Sequence, residues 1–432
     1  MRPSIVEPAV ASPPSGGLIL SPSPARIDSI DLVRGLAMVL MALDHVRDYF
    51  SRDFFTNPPI DPSNLTQASP ALFLTRWVTH FCAPTFVFLA GTGIFLHGRH
   101  RSRRALSWFL LTRGLWLVLV EITLVRLSWN FNLHYGREFG GGVLWAIGWS
   151  MVLFSLLIFL PTSTITVLGV ALIAFHNLLD GKHAPDLHLP HGLWVILHEP
   201  GQFRVFGPLD FASLHVPELR FGTAYCLLPW LGVLSAGYGF GALYFLDSAT
   251  RRRQLFGLGV AVTLLFIALR YGNLYGDPPQ LNKGWLGPWS RQSTPVLTVL
   301  SFINCQKYPP SLLFLLMTLG PAIIALAWCE RPIGLLGRFF VIYGRVPFFY
   351  YILHIPLIHG LAVAIDYARF GYSPYRAEAP WTLPRNNLPS DYGFPLPVVY
   401  LIWLAVVLFL FPFCRWFARL KERSRSKWLS YL

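Results

Sequence analysis

Charge is scarce in this chain: Asp, Glu, Lys and Arg make up 13% of its 432 residues, about half of what a soluble domain carries. A single soluble core is thereby excluded. Acidic residues are the scarcer kind, 21 against 35 Lys and Arg, which leaves a formal net charge of +14. A basic balance invites a nucleic-acid reading. Here the Lys and Arg residues lie in short loops between hydrophobic segments instead of on one patch, so no nucleic-acid partner is expected. Cysteine is nearly absent as well. Cys82, Cys226, Cys305, Cys329 and Cys414 are scattered, with no CxxC pair and no metal-type spacing, so no disulfide framework is implied. A secretory signal is also missing, because Leu18 to Leu20 is far too short for its apolar core. Residues 1–27, rich in Pro, Ser and Gly, read as a disordered cytoplasmic tail.

What is abundant is apolar surface. Hydrophobic residues reach 54% and aromatics 15%. The expected fold class is all-α: a polytopic integral membrane protein of about ten transmembrane helices at about twenty residues each. The spans read as Asp28 or Ser29 to Phe50, Leu72–Leu96, Ala105–Leu127, Gly142–Leu160, Thr162–Leu178, Phe221–Leu246, one ending at Leu269, one from the Tyr308-Pro-Pro-Ser311 start to Cys329, Phe339–Ile365, and Pro397–Phe413. Arg99 to Arg104, Arg251 to Arg253, Arg331, Arg338 and Arg415 to Lys427 mark the cytoplasmic loops, and ten spans place both termini on that side. The expected organisation is therefore tail 1–27, membrane domain 28–418 and basic cytoplasmic tail 419–432, in a cytoplasmic (inner) membrane.

Against that background Asp31-Leu-Val-Arg34-Gly35 through Asp44-His45 stands out, because it puts ionisable groups inside the first span. Such residues are rare at bilayer depth and mark function by default. Arg34 and His45 are eleven residues apart, three turns with about 20° left over, so one face carries both, about 16 Å apart along the axis. Met38, Met41 and Ala42 lie between them. His45 sits about 24 Å from the helix start, toward the outer leaflet. A neutral imidazole there is a candidate base, and its bland alternative is a buried histidine bonded to a carbonyl, Asp48 or Tyr49. Asp44 points to another face and is expected to pair with Arg47 or with another span.

His354, with Tyr350 and Tyr351 nearby in a span interrupted by Pro347 and Pro356, is the second candidate for the reacting centre. Irregular backbone at such depth is tolerated only against protein or a water-filled cavity. Arg113, Arg338 and Arg345 are expected at the cytoplasmic level of Arg34, where guanidinium forks could hold phosphates; snorkelling anchors are the plain alternative. Glu121 reads as a structural partner for an intramembrane arginine. The connection 179–220 holds His183, His188, His191, His198 and His215, but without metal-ligand spacing on a convincing helix it reads as a solvated outer loop, and no metal is expected.

Several stretches taken together, Asp31 to Gly35 with Asp44-His45, Ala83-Pro84 to Gly91, Leu110 to Gly114, Leu228 to Gly232, Lys307 to Ser311 and Gly344 to His354, resemble the bacterial membrane proteins that share the catalytic domain of heparan-alpha-glucosaminide N-acetyltransferase. The Arg34-to-His45 arrangement is also similar, more distantly, to the motif of the transmembrane acyltransferase type three family. These resemblances imply a ten-helix acyltransferase using cytosolic acyl-CoA, with the motif histidine's role falling to His45. The animal lysosomal enzyme differs, having asparagine at the position matching His45 and its histidine in the following outer loop, where residues 51–57 here have none. That difference favours bacterial glycan acylation over heparan-type specificity.

The combined expectation is an acyltransferase that moves an acetyl or other short acyl group from acetyl-CoA, its donor substrate, to a hydroxyl or amine acceptor, a glycan or amino sugar, at the outer face. His45, His354 and Tyr351 are the catalytic candidates and Arg34, Arg113, Arg345 and Arg338 the acyl-CoA contacts, with the lipid bilayer as a further partner and a homodimer allowed. The rival is a proton-coupled small-molecule transporter, whose kinked helices carry the same residue types; no matching pair of interrupted helices in the two halves supports it.

Overall fold

The most charged helix of the chain is the one that the others surround. In a computed structural model that describes residues 27–133, 138–206, 209–211, 214–216, 219–277, 285–331 and 334–424, helix α1 (Asp28–Phe50) has most of its residues buried. The expected N-terminal tail, apart from Ile27, and the basic tail beyond residue 424 lie outside the described residues. Its charges are neutralised locally: Asp31 with Arg34 at 3.2 Å, Asp44 with Arg47 at 3.1 Å and Arg47 with Asp48 at 2.6 Å. Pairing removes most of the cost of carrying ions at this depth.

Around it stand α2 (Pro70–Gly98), α3 (Arg103–Asn130), α4 (Val143–Leu157), α5 (Thr162–Leu179), α6 (Leu227–Phe245), α7 (Ser248–Gly272), α8 (Leu312–Trp328), α9 (Pro347–Phe370) and α10 (Leu396–Arg423). Seven of these are long and apolar enough to cross a membrane, and α4 and α8 are shorter apolar helices. With α1 they make ten among the described residues, in a polytopic all-α membrane protein. Leu264, Leu265, Leu401, Leu404 and Leu408 are exposed on α7 and α10, the faces that lipid would cover.

Small residues set how closely these helices approach. A Cβ on Gly237 of α6 would overlap the carbonyl of Phe88 on α2, and one on Gly91 the carbonyl of Leu234. At the other end of α1, Gly35 lies against the carbonyl of Phe340 and Gly344 against that of Asp31, which seals the short helix Leu335–Arg345 onto α1.

The interruption expected at Pro347 is present: the span over Phe339–Ile365 is two helices that meet at Val346, with φ −133° and ψ 46°. Several other expectations are corrected. Pro347 opens α9, where its missing N–H costs nothing, while Pro356 sits inside α9 without ending it. Pro309 and Pro310 lie in the turn before α8, whose cap is Ser311, accepting from Phe314 N–H at 3.1 Å. Ser29 does not cap α1; its hydroxyl donates to Glu330 at 2.7 Å. α10 continues past Phe413 to Arg423. α2 breaks at His80 and Phe81, between Pro70–Thr79 and Cys82–Gly98, and α3 widens into a π-turn at Glu121–Val125, a form that concentrates at functional sites.

The outer connections fold more than expected. Strands β1 (Glu138–Gly141), β2 (Gly201–Phe206), β3 (Leu209–Phe211), β4 (Leu214–Val216) and β5 (Leu219–Thr223) form a sheet of order β1-β5-β2, parallel then antiparallel, and a β3-β4 pair. Instead of a plain solvated loop, these residues form the short helix His191–Leu197 and strands, and the three-stranded sheet roofs a cavity in the bundle. Strands this short, hidden among Pro and His residues, leave no clear two-residue alternation to read.

Candidate active site

Beneath that roof lies a cavity of about 2100 Å³, and its wall is built in part from the C-terminal half of α1. Met41, Asp44, His45 and Asp48 face it from α1, Arg76, Thr79 and Cys82 from the break in α2, Glu121 and Trp129 from α3, and Tyr351 from α9. The roof contributes Gly140 to Gly142, Gly201 and Gly222 to Tyr225, and the turn before α8 adds Lys307 and Tyr308.

His45 lines this cavity, and His354, fully buried and not itself among the lining residues, packs behind it. Their ring centres are 5.2 Å apart with the planes at 40°, and Trp129 sets its ring against His45 at 4.8 Å, edge to face. His354 stacks on Tyr350 at 5.2 Å and lies 5.5 Å from Tyr351. Its Nδ1 is 2.8 Å from the carbonyl of Tyr351 and 3.1 Å from that of Tyr350. Carbonyls only accept, so Nδ1 carries the hydrogen. In the neutral ring Nε2 is then a lone pair, and among the described residues it has no partner. Nδ1 of His45 is likewise buried without a partner.

Beside the imidazoles runs a charged network. Arg76 donates to Asp44 across the α1–α2 contact, and Arg47 bridges Asp44 and Asp48. This pins the kinked end of Pro70–Thr79 to the turn that carries His45. Glu121 differs from its expected role: its carboxylate accepts the N–H of Gly142 at 3.0 Å, tying the π-turn to the start of α4.

The four arginines are not brought into this cavity. Arg34 donates to Asp31 at 3.2 Å and to the carbonyl of Gly344 at 3.3 Å. Arg113 lies over the ring of Phe348 at 5.6 Å, Arg345 donates to Glu422 at 2.8 Å, and Arg338 is exposed. Met38 and Ala42, between Arg34 and His45, are buried, and of the three residues expected on that stripe Met41 is the one that faces the cavity.

Two histidines of the 179–220 connection have carboxylate partners. His198 contacts Asp180 at 2.9 Å and His183 contacts Glu199 at 3.0 Å. Among the described residues no group of three or more His, Cys, Asp or Glu could hold a metal ion. Sequence reasoning passed over Arg76, Trp129, Tyr225, Lys307 and Tyr308 as site residues. Only Lys307 and Tyr308 carried a signal, as part of the Lys-Tyr-Pro-Pro-Ser stretch.

A polytopic helical membrane protein with a histidine, His45, on the wall of a large cavity is the class this architecture defines. The sequence model of the family described as heparan-alpha-glucosaminide N-acetyltransferase, catalytic, matches residues 26–269, more than half of the chain. The chain belongs to this membrane acetyltransferase family. The match takes in α1 to α6 and most of α7, with Arg34, His45, Arg76 and Arg113, and ends before Lys307, Tyr351 and His354. No curated protein matches the chain.

Proposed function

We propose that the protein transfers an acetyl, or another short acyl, group from acyl-CoA to a hydroxyl or amine of a glycan or amino sugar at the outer face of the cytoplasmic membrane. The observation that carries this reading is His45, backed by the buried His354, on the wall of a cavity of about 2100 Å³ in a chain of the acetyltransferase family. His45 takes the acceptor's proton as its oxygen or nitrogen attacks the thioester carbon. The new C–O or C–N bond forms, the C–S bond breaks, and CoA leaves as thiolate to be protonated by the imidazolium. The hydroxyl of Tyr351 supplies a donor for the oxyanion. Neutral His354 is assigned no such role, because its hydrogen is committed to backbone carbonyls; it packs against the ring of His45.

In this reading the donor comes from the cytosolic side, with its phosphates met by Arg34, Arg113, Arg338 and Arg345. At that level the helix Leu335–Arg345 lies in close backbone contact with α1 at Gly35 and Gly344. The test is acetyl-CoA turnover by purified protein with amino-sugar acceptors. Full turnover by a folded His45→Ala variant would overturn the mechanism, and acceptor flux into proteoliposomes without CoA would support a carrier instead.

A further inference from the structure

Lys307 is 8% exposed and faces the cavity. Its ammonium lies over the ring of Tyr308 at 5.1 Å, and among the described residues no carboxylate is within ion-pair distance. It stands near enough to act electrostatically on Asp44, His45 and His80, but Asp44 is already committed to Arg76 and Arg47. A buried ammonium without a counter-ion is costly, and Lys is almost never this buried unless paired.

The surroundings hold it there. Arg270 pairs with Asp277 at 2.6 Å, and the other carboxylate oxygen of Asp277 accepts Gln306 N–H at 2.8 Å and the Ser311 hydroxyl at 3.1 Å, one on each side of Lys307 and Tyr308. The hydroxyls of Tyr308 and Tyr225 are 3.4 Å apart, and both residues line the same cavity. Burial pushes the Tyr308 phenol up, but Lys307 and Arg76 outweigh it and hold the group below the ordinary tyrosine range. Tyr225 is pushed up, by burial first and by Tyr308 second. The wall is thus rich in donors and positive potential.

We propose that Lys307, with the hydroxyls of Tyr308 and Tyr225, forms a subsite for an anionic oxygen group, a carboxylate, sulfate or phosphate, on a substrate bound in the cavity. The proposal rests on the acyltransferase reading only for the identity of the substrates. Two sources share this chemistry: the phosphates of the acyl donor and the acid group of an acidic sugar acceptor. A charge-assisted contact to a desolvated ammonium favours either over a neutral analogue.

Equilibrium binding to the full chain in detergent separates them without needing turnover. The probes are free CoA, a glucuronate–glucosamine disaccharide, and its neutral glucose–glucosamine analogue, each titrated into wild type, Lys307→Met and Lys307→Arg. The expected result is a loss of about tenfold or more in affinity for one anionic probe in Lys307→Met, largely restored in Lys307→Arg, with the neutral analogue unchanged. Loss confined to CoA assigns the subsite to the donor, and loss confined to the acidic disaccharide assigns it to the acceptor. Unchanged affinity for both anionic probes overturns the proposal, as does an equal loss for the neutral analogue. Should Lys307→Met not fold, Tyr308→Phe and the salt dependence of wild-type binding decide: anionic probes that bind no more weakly at high salt and are indifferent to Tyr308→Phe overturn it. Absence of acetyl-CoA turnover in wild type would count against the reaction and leave this binding result standing.

Discussion

The ring of His45 lies 5.2 Å from that of His354, although more than three hundred residues separate them. α1 and α9 pack against each other, and the Nδ1 hydrogen of His354 is spent on the carbonyls of its own preceding turn. One imidazole is therefore oriented by backbone, while the other, His45, is left to face the cavity.

If His45 is the base, His45→Ala lowers kcat for acetyl transfer by about 10²- to 10⁴-fold. Because the ring rests on Trp129 and packs beside His354 without a hydrogen bond to its Nδ1, the thermal midpoint should change little. Steady-state kinetics beside a thermal melt in detergent checks both.

Tyr351 faces the cavity one turn from the imidazole pair. Loss of a single oxyanion donor costs about 10²- to 10³-fold, so Tyr351→Phe should lower kcat within that range and leave KM for acetyl-CoA nearly constant. A rise in KM with kcat kept would assign the hydroxyl to ground-state binding instead.

Arg34 discriminates between an entry route and a structural tie. As a phosphate contact, Arg34→Met should raise KM for acetyl-CoA about tenfold, the value of one charge-assisted bond, with kcat largely kept. An unchanged KM with a lower thermal midpoint would show that the guanidinium serves only to bind α1 to the carbonyl of Gly344.

The close approaches of glycine make a paired test of packing. Gly344→Leu would drive a side chain into the backbone of α1 at Asp31 and should abolish the monodisperse folded protein in detergent. Gly93→Ala in α2, where a Cβ meets nothing within 4 Å, should be neutral or stabilising by up to about 1 kcal/mol, the helix-propensity difference.

Arg270 is 1% exposed and bonded to Asp277 and to the carbonyls of Ser301, Phe302 and Asn304. Removing one partner of a buried pair costs about 3 to 5 kcal/mol. Arg270→Met should therefore lower the unfolding midpoint sharply, and adding Asp277→Asn should recover part of that loss in a double-mutant cycle.

The seven helices long and apolar enough to cross a membrane were legible because burial in lipid demands long apolar runs, and the runs around Leu264 or Leu404 are unbroken. α1 was legible for the opposite reason: Arg34, Asp44 and His45 are too costly in lipid for the helix to face it, so its central place follows from its charges. The strands of the outer roof were not legible, because strands of three to six residues hold together through partners far away in the chain, as Phe139 does with Phe221. Pro356 was misread as a break because local sequence shows the lost hydrogen bond but not the packing of α9 against α1 and α10, through which the helix continues.

For the site, the sequence by itself determined which groups are expensive to bury and along which face of α1 they project, since both follow from residue type and helical repeat. It could not determine which of them share a space. That Arg76 comes to Asp44, that His354 comes to His45, that Lys307 comes to the same wall, and that Arg34 stays behind the contact of Gly35 with Phe340, depend on how separate helices cross. Those crossings are set by which small residues let backbones touch, a property of pairs of segments that no single segment contains.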